Sequence, residues 1–528
     1  MDMGGSNTRL WLMDEEQLLC EKKYPFGALC GKREGKAVLF ARIRTALTVL
    51  LEENGLSEKD VSAIVALGMA GSEIGLCEIA HVLLPVDRYA LAEKLIKKHL
   101  PEVTDIPFLF IPGIKTECGV CLADIIRGEE SEVLGILPHL PSGKPVVLLL
   151  PGTHNKVIRI SEKGEISDFR STASGELLDL AVSKSVLAGS LSHDAPFSPY
   201  HAKCGMTYAE ENGISAALFH ARVMEKNGAP CEELTSFVYG AVLGDDVALL
   251  RRFAKGDVVY IGGNGRLAAA YEALLRGYTD TVLLEERITQ RATLCGAQQL
   301  YRLHKASRVL EETLKSIERE RVFAIIRGAD EKTLTVAMEA LYRGGIRLAE
   351  VTFDRSGRTS SEQTCQTIAA LVKHFEGRML IGAGTVCRAE EVEMAARAGA
   401  RFIVSPTCDA EVITRTRSLS LVSIPAAYTA TEIANALKFG AHYIKMFPAD
   451  HLGEDYIRAV TAPLCDAKLL AVGGVTVENA TRLMKGGFSG IGVGSALYDK
   501  GLIEKGDYDA LTERAEAYVT AARAAMDG

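Results

Sequence analysis

Lys445 lies in the run Tyr443-Ile444-Lys445-Met446-Phe447-Pro448, an amine enclosed by large apolar neighbours. Desolvation there disfavours the ammonium, and a free amine can condense with a ketone to form a Schiff base. The plain alternative is a buried lysine neutralised by a carboxylate such as Glu350. Glu350 itself, in Leu348-Ala349-Glu350-Val351-Thr352-Phe353, can be a general acid/base or a simple ion-pair partner. Gly473-Gly474 and Gly494-Ser495 end two further apolar runs, where they could cradle a phosphate or merely turn the chain. Near the N-terminus, Asp2 precedes the glycine turn Gly4-Gly5-Ser6-Asn7. A carboxylate followed by such a turn can hold a hydrated Mg2+ while backbone N–H groups approach phosphates; an ordinary hairpin would look the same. Two later glycine turns, with Gly152, Thr153 and His154 in LPGTHNK and Gly262, Gly263 and Asn264 in YIGGNGRL, also follow strand-like runs.

These residues need rigid elements to hold them. After residue 320, eight short apolar segments alternate with helical stretches: 322–327, 348–353, 380–386, 402–406, 421–425, 443–448, 468–474 and 490–497. Continuous apolar runs suit buried parallel strands, and an eightfold strand–helix alternation predicts a closed (β/α)8 barrel, with an open doubly wound sheet as the alternative. Active-site side chains of a barrel stand at the C-terminal strand ends. In order these are Arg327, Glu350 and Thr352, Thr385, Pro406, Lys445, Gly473 and Gly474, then Gly494 and Ser495. Residues 297–320 are rich in helix formers and lack Gly and Pro, which predicts a helical connector. Before it, the three glycine turns suggest two α/β lobes around a nucleotide cleft. The expected domains are 1–300, a helical linker over 301–320, and a barrel over 321–528.

The 528 residues exceed one core, since domains average roughly 150 residues. With 48% hydrophobic and 24% charged residues the chain has a globular composition. Its net charge of −8 offers no footprint for nucleic acid or an anionic membrane. No apolar run approaches the ~20 residues of a spanning helix, and no basic-then-apolar leader opens the chain. A cytoplasmic enzyme is therefore expected, with its twelve cysteines as reduced thiols. Cys118 and Cys121 have CxxC spacing but no second pair to complete a zinc site.

The segments RVFAIIRG, GGIRLAEVTF, IGAGTV, IVSPTCD, YIKMFPA and AVGGV resemble, in order, the 2-keto-3-deoxy-6-phosphogluconate/galactonate aldolases over residues 315–505. That resemblance implies a class I aldolase needing no metal. Lys445 would form the Schiff base, Glu350 would move protons through a water, Arg327, Thr385 and Pro406 would line the pyruvate end, and the two glycine pairs would hold phosphate. Thr352 joins the binding set. The chain departs from the gluconate type in having Val472 before Gly473-Gly474 where threonine is usual, a feature of the galactonate branch. Asp354 also intervenes before Arg355, so no role is carried over to that arginine.

GMAGSEIG, FIPGIKT, DIIRGEESEVLG, LPGTHNKVIRI, FRSTASGELLDL, YGAVLGDD and YIGGNGRLAAAYEALL resemble the 2-dehydro-3-deoxygalactonokinases over residues 2–300. The implied fold is a two-lobed actin-like (ribonuclease H-like) sugar kinase using ATP and Mg2+. Asp2, Gly4, Gly5, Ser6 and Asn7 would form the first phosphate loop, with Asp2 toward the metal. Gly152, Thr153 and His154 would form the second, and Gly262, Gly263 and Asn264 would lie by the adenosine. Asp124, Glu129 and Glu176 are candidates for the base, and Arg127 for binding the substrate carboxylate; helix-surface ion pairs are the plain alternative for all four. His154 reads more readily as a loop hydrogen-bonder than as a base. Only Met1 precedes Asp2, so a central strand is expected to be nearly absent and its neighbours unpaired, from a start set too late or an impaired kinase half.

Together the resemblances imply consecutive reactions on a galactonate-derived sugar acid. The alternative is an aldolase whose N-terminal half only binds a sugar acid. No basic DNA-reading helix precedes the first domain, which disfavours a repressor. The aldolase resemblance favours a trimer.

Overall fold

A computed structural model describes residues 1–117, 123–263, 265–327 and 331–525. Cys118, Cys121 and Asn264 lie outside them. The chain divides into two units, Met1–His304 and Lys305–Gly528. The predicted connector is part of one longer helix, Glu286–Glu320.

The first unit contains two sheets of related order. One runs Gln17–Tyr24, Thr8–Asp14, Asp2–Met3, Ile64–Gly68, Thr104–Phe110, Ile96–Leu100. The other runs Ile166–Thr172, Asn155–Ile160, Val146–Leu150, Val259–Ile261, Thr281–Leu283. In each, an antiparallel three-strand meander continues into two parallel strands, so one pattern occurs twice. This is the two-lobed actin-like arrangement. The Asp2–Met3 strand is short, as expected, and reaches only the first two residues of Thr8–Asp14 and the last two of Ile64–Gly68. It pairs with Thr8 and Arg9 on one side and Leu67 and Gly68 on the other, and Leu67 N–H donates to the Met1 carbonyl. The Met1 amino group donates to the Val65 carbonyl at 2.8 Å.

The second unit is a parallel barrel. All eight expected segments form strands, the fifth divided at Pro425 into Val422–Ile424 and Ala426–Ala427. The division does not open the barrel: Tyr443 N–H donates to the Ser423 carbonyl and Lys445 N–H to that of Pro425. An open doubly wound sheet is thereby ruled out. Alternate side chains face the barrel interior, where Phe323, Leu348, Phe402, Val422, Tyr443 and Leu470 pack with Ile317 from the preceding helix. The other face packs on the surrounding helices through residues such as Ile326, Val351, Ile381 and Ile444. This two-sided burial explains the unbroken apolar runs.

Among the described residues no helix is long and apolar enough to cross a membrane, and their ten cysteines are free.

Candidate active sites

In the barrel, Glu350 on Leu348–Thr352 and Lys445 on Ile444–Met446 are 3% and 9% exposed. Both line one small cavity with Phe323, Ile325, Val404, Ile424, Leu470, Val472 and Gly492. Its volume, about 10 Å³, is near that of a single water probe. Burial raises the Glu350 pKa, while the positive charges of Lys445 and Arg327 act in the opposite direction. The net shift is upward, the direction that favours a group able to take up a proton and give it back. Gly384 makes room for it, since a Cβ there would stand 2.5 Å from Glu350 Oε1.

Around this pair, Thr352 donates its hydroxyl to the Ile326 carbonyl at 3.1 Å. Thr385 follows Leu380–Gly384 with a φ of +59°, a strained value for a β-branched residue. Arg355 holds that turn: it donates to the Thr385 carbonyl at 2.6 Å and forks onto Glu391, which is 1% exposed. Arg388 and the Cys387 N–H also donate to Glu391. Burial alone would raise the Glu391 pKa, but these donors outweigh it and hold the pKa at about 2. Arg327 and Pro406 are exposed at their strand ends. The turns at Gly473-Gly474 and Gly494-Ser495 adjoin, because Val472 pairs with Gly492. Gly473 and Gly474 take φ of +89° and +69°, and side chains there would strike Phe447 and Asp450.

In the first unit, the glycine turn closes with Gly4 N–H donating to the Asn7 carbonyl at 2.8 Å, and Ser6 and Asn7 are exposed. Burial raises the Asp2 pKa; the terminal amine and Arg9 oppose this, and Glu129 adds to it. The second glycine turn joins strands Val146–Leu150 and Asn155–Ile160. Gly152 N–H donates to Asn155 Oδ1 at 2.9 Å, and Glu176 N–H donates to the Thr153 carbonyl. A cavity of about 260 Å³ brings Pro151, Gly175, Leu178 and Asp179 together with Gly262 and Gly263. His193, Tyr239 and Arg266 complete its wall. The Arg266 guanidinium lies 4.7 Å from the Tyr239 ring centroid. Both lie in segments that carry the kinase resemblance, YGAVLGDD and YIGGNGRLAAAYEALL, but neither was among the expected site residues.

The base candidates separate. Asp124 accepts from the backbone N–H groups of Ile125 and Ser171, at 2.7 and 2.6 Å, and so fastens two segments. Glu176 is paired with His154 Nε2 at 3.1 Å, both half-exposed. Glu129 accepts one backbone N–H, from Arg127 at 2.9 Å on Oε2, but lies electrostatically close to Asp2, and Lys156, 7% exposed, places its ammonium 3.7 Å from Glu129 Oε1. Arg127 is not on a helix surface. It donates to the Ile79 carbonyl at 2.7 Å and to His81 Nε2 at 3.1 Å, while its buried Nη1 has no partner. Burial, then the charges of Arg127 and Lys115, lower the His81 pKa to about 4. Arg127 and Lys115, beside a neutral His81, thus make a cationic corner suited to a carboxylate, of which only Arg127 was legible in the sequence.

Among the described residues no group of three His, Cys, Asp or Glu could hold a metal by itself. A single carboxylate such as Asp2 fits Mg2+, which is commonly held by one or two carboxylates together with substrate phosphates.

A unit of two related sheets with three glycine turns and a barrel with a buried lysine–glutamate pair describe a phosphotransferase joined to a carbon–carbon lyase. The chain belongs to the 2-keto-3-deoxy-galactonokinase family through residues 2–300 and to the KDPG and KHG aldolase family through residues 313–514. It is 35% identical over 206 residues to 2-dehydro-3-deoxy-6-phosphogalactonate aldolase of Escherichia coli (strain K12), covering 39% of this chain and 96% of that one. It is 34% identical over 166 residues to a 2-dehydro-3-deoxy-phosphogluconate aldolase of Treponema pallidum, covering 31% and 76%. A probable 2-dehydro-3-deoxygalactonokinase of Rhizobium meliloti is 25% identical over 283 residues, covering 52% and 87%. A solved structure described as native KDPGal matches 39% of this chain and 96% of its own, at 35% identity and a TM-score of 0.36.

Proposed function

We propose that the chain is a bifunctional enzyme acting in sequence on one sugar acid. The first unit transfers the γ-phosphoryl group of ATP to O6 of 2-dehydro-3-deoxygalactonate, and the barrel splits the product. The meeting of Glu350, Lys445 and Val472 on one enclosed cavity carries this reading for the barrel.

In the kinase, the glycine turns at 4–7 and 152–154 receive the phosphates, and Gly262, Gly263 and Asn264 adjoin the adenosine. Mg2+, held by Asp2 and the nucleotide, would supply charge neutralisation. Glu129 accepts the O6 proton, and Arg127 binds the carboxylate.

In the barrel, Lys445 Nζ adds to the C2 ketone, and loss of water gives a protonated imine. Glu350 takes the C4 hydroxyl proton through a water. The C3–C4 electron pair moves into the imine, and glyceraldehyde 3-phosphate departs. Protonation of the enamine at C3 and addition of water release pyruvate and regenerate Lys445. Arg327, Thr352, Thr385 and Pro406 line the pyruvate end, while Gly473, Gly474, Gly494 and Ser495 hold phosphate. Val472, lacking the threonine hydroxyl, favours the galacto epimer at C4. A cytoplasmic location and a trimer built through the barrel accompany this reading.

A coupled assay with ATP, Mg2+, either unphosphorylated epimer and pyruvate detection tests it. Pyruvate from the galacto epimer is expected. Pyruvate only from the gluco epimer would refute the substrate. Pyruvate only from a pre-phosphorylated substrate would leave an aldolase with an inert kinase-like half.

A further inference from the structure

Behind the nucleotide cavity lies a charged group that neither reaction uses. Asp246, on the helix Cys231–Ala254, is 2% exposed, yet every donor it meets is neutral. Its Oδ2 accepts from Asn155 Nδ2 at 2.9 Å, from Thr172 Oγ1 at 3.0 Å and from the Tyr271 hydroxyl. Its Oδ1 accepts from Ser174 Oγ at 2.9 Å. A carboxylate is the side chain that accepts so many bonds at once, having two oxygens and about four lone-pair sites.

What these donors hold gives the cluster its meaning. Asn155, fully buried, accepts the Gly152 N–H, so Asp246 fixes the second phosphate turn through one intermediary. Ser174 opens the helix Ser174–Lys184, whose Gly175 packs so tightly that a Cβ would stand 2.0 Å from the Gly152 carbonyl. Tyr271 lies on Arg266–Leu275, the helix that follows Gly262 and Gly263 in the chain and lines the same cavity. One carboxylate therefore braces both glycine turns that wall the cavity.

We propose that Asp246 is a positioning residue for nucleotide binding, holding residues 151–155 in register with Gly262 and Gly263. The inference rests on the kinase reading above. Dispersed ties of this kind matter because displacement of a phosphate-binding turn by about 1 Å can cost on the order of a hundredfold in rate.

Calorimetric titration of the full chain with ADP and Mg2+ tests it, with D246N compared with V247A. Val247 is buried on the same helix but packs in the apolar cluster. It provides a loss of stability without a loosened turn. D246N is expected to weaken ADP about tenfold or more, while V247A stays within about twofold although its melting temperature also falls. Equal affinities for D246N and wild type, or parallel losses in both variants, would overturn the proposal. Should D246N fail to fold, Y271F removes one donor of four, and an unchanged ADP affinity there would also overturn it. Wild type taking up no ADP would instead refute the kinase reading, and this inference with it.

Discussion

The Glu391 clamp makes a quantitative prediction about the barrel. Its pKa sits at about 2 against an ordinary 4.5. A difference of about 2.5 units, at ~1.36 kcal/mol each, corresponds to about 3 kcal/mol of preference for the ionised native form. Its partners Arg355 and Arg388 are 40% and 64% exposed, so water screens the pairs and about 1–2 kcal/mol is the realistic share. The sign follows from the lowered pKa. The stabilisation is fully present above the unfolded value and is lost as pH falls from about 4.5 toward 2. E391Q should therefore destabilise the barrel by about 1–2 kcal/mol at pH 7, and the pH-dependent part of that gap should shrink to roughly 40% by pH 3. The sole tryptophan, Trp11, lies in the first unit and cannot report this transition. The assay is residual lyase activity after brief urea exposure at pH 7, 5 and 3. Because Arg355 also holds the strained Thr385 turn, the substrate KM of E391Q should rise several-fold. A stability gap of the same size at pH 7 and pH 3 would refute the reasoning.

Borohydride reduction in the presence of pyruvate should add the mass of a reduced pyruvyl adduct to the wild-type chain and none to K445M, with ADP formation by the first unit unchanged. E350Q should lose lyase kcat by about a hundredfold or more. Because burial raises the Glu350 pKa, the acidic limb of wild-type kcat/KM should lie above pH 4.5 and be absent from the E350Q profile. V472T should narrow the ratio of kcat/KM between galacto and gluco epimers by about tenfold, measured with both phosphorylated substrates. R127K keeps the charge but loses the guanidinium fork, and should raise the sugar-acid KM about tenfold while leaving that for ATP within twofold.

Much of the barrel was legible because buried parallel strands declare themselves as unbroken apolar runs, and a lysine or glutamate inside such a run is conspicuous. The same logic did not mark the wall of the larger cavity in the first unit. Tyr239 and Arg266 lie in segments that carry the kinase resemblance but outside the expected site residues, and they share a cavity wall only once the helices Cys231–Ala254 and Arg266–Leu275 pack. Arg355 had no role in the sequence because Asp354 displaces it from the expected position; the fold turns it onto Glu391, 36 residues away. Three base candidates looked equivalent along the chain. They differ only in space, where backbone N–H groups occupy both oxygens of Asp124, His154 occupies Glu176, and Glu129, with one N–H on Oε2, faces Asp2 and Lys156.

By itself, then, the sequence determined the order of two folds, the placement of Lys445 and Glu350 at strand ends, and the glycine turns. These follow from local rules of periodicity, burial and backbone freedom. Tertiary structure alone decided which distant groups share a charge or a hydrogen bond: Arg127 with His81, Arg355 with Glu391, and Asp246 with Asn155 and Tyr271. Such partnerships depend on distances of about 3 Å between residues tens of positions apart, and no local pattern encodes them.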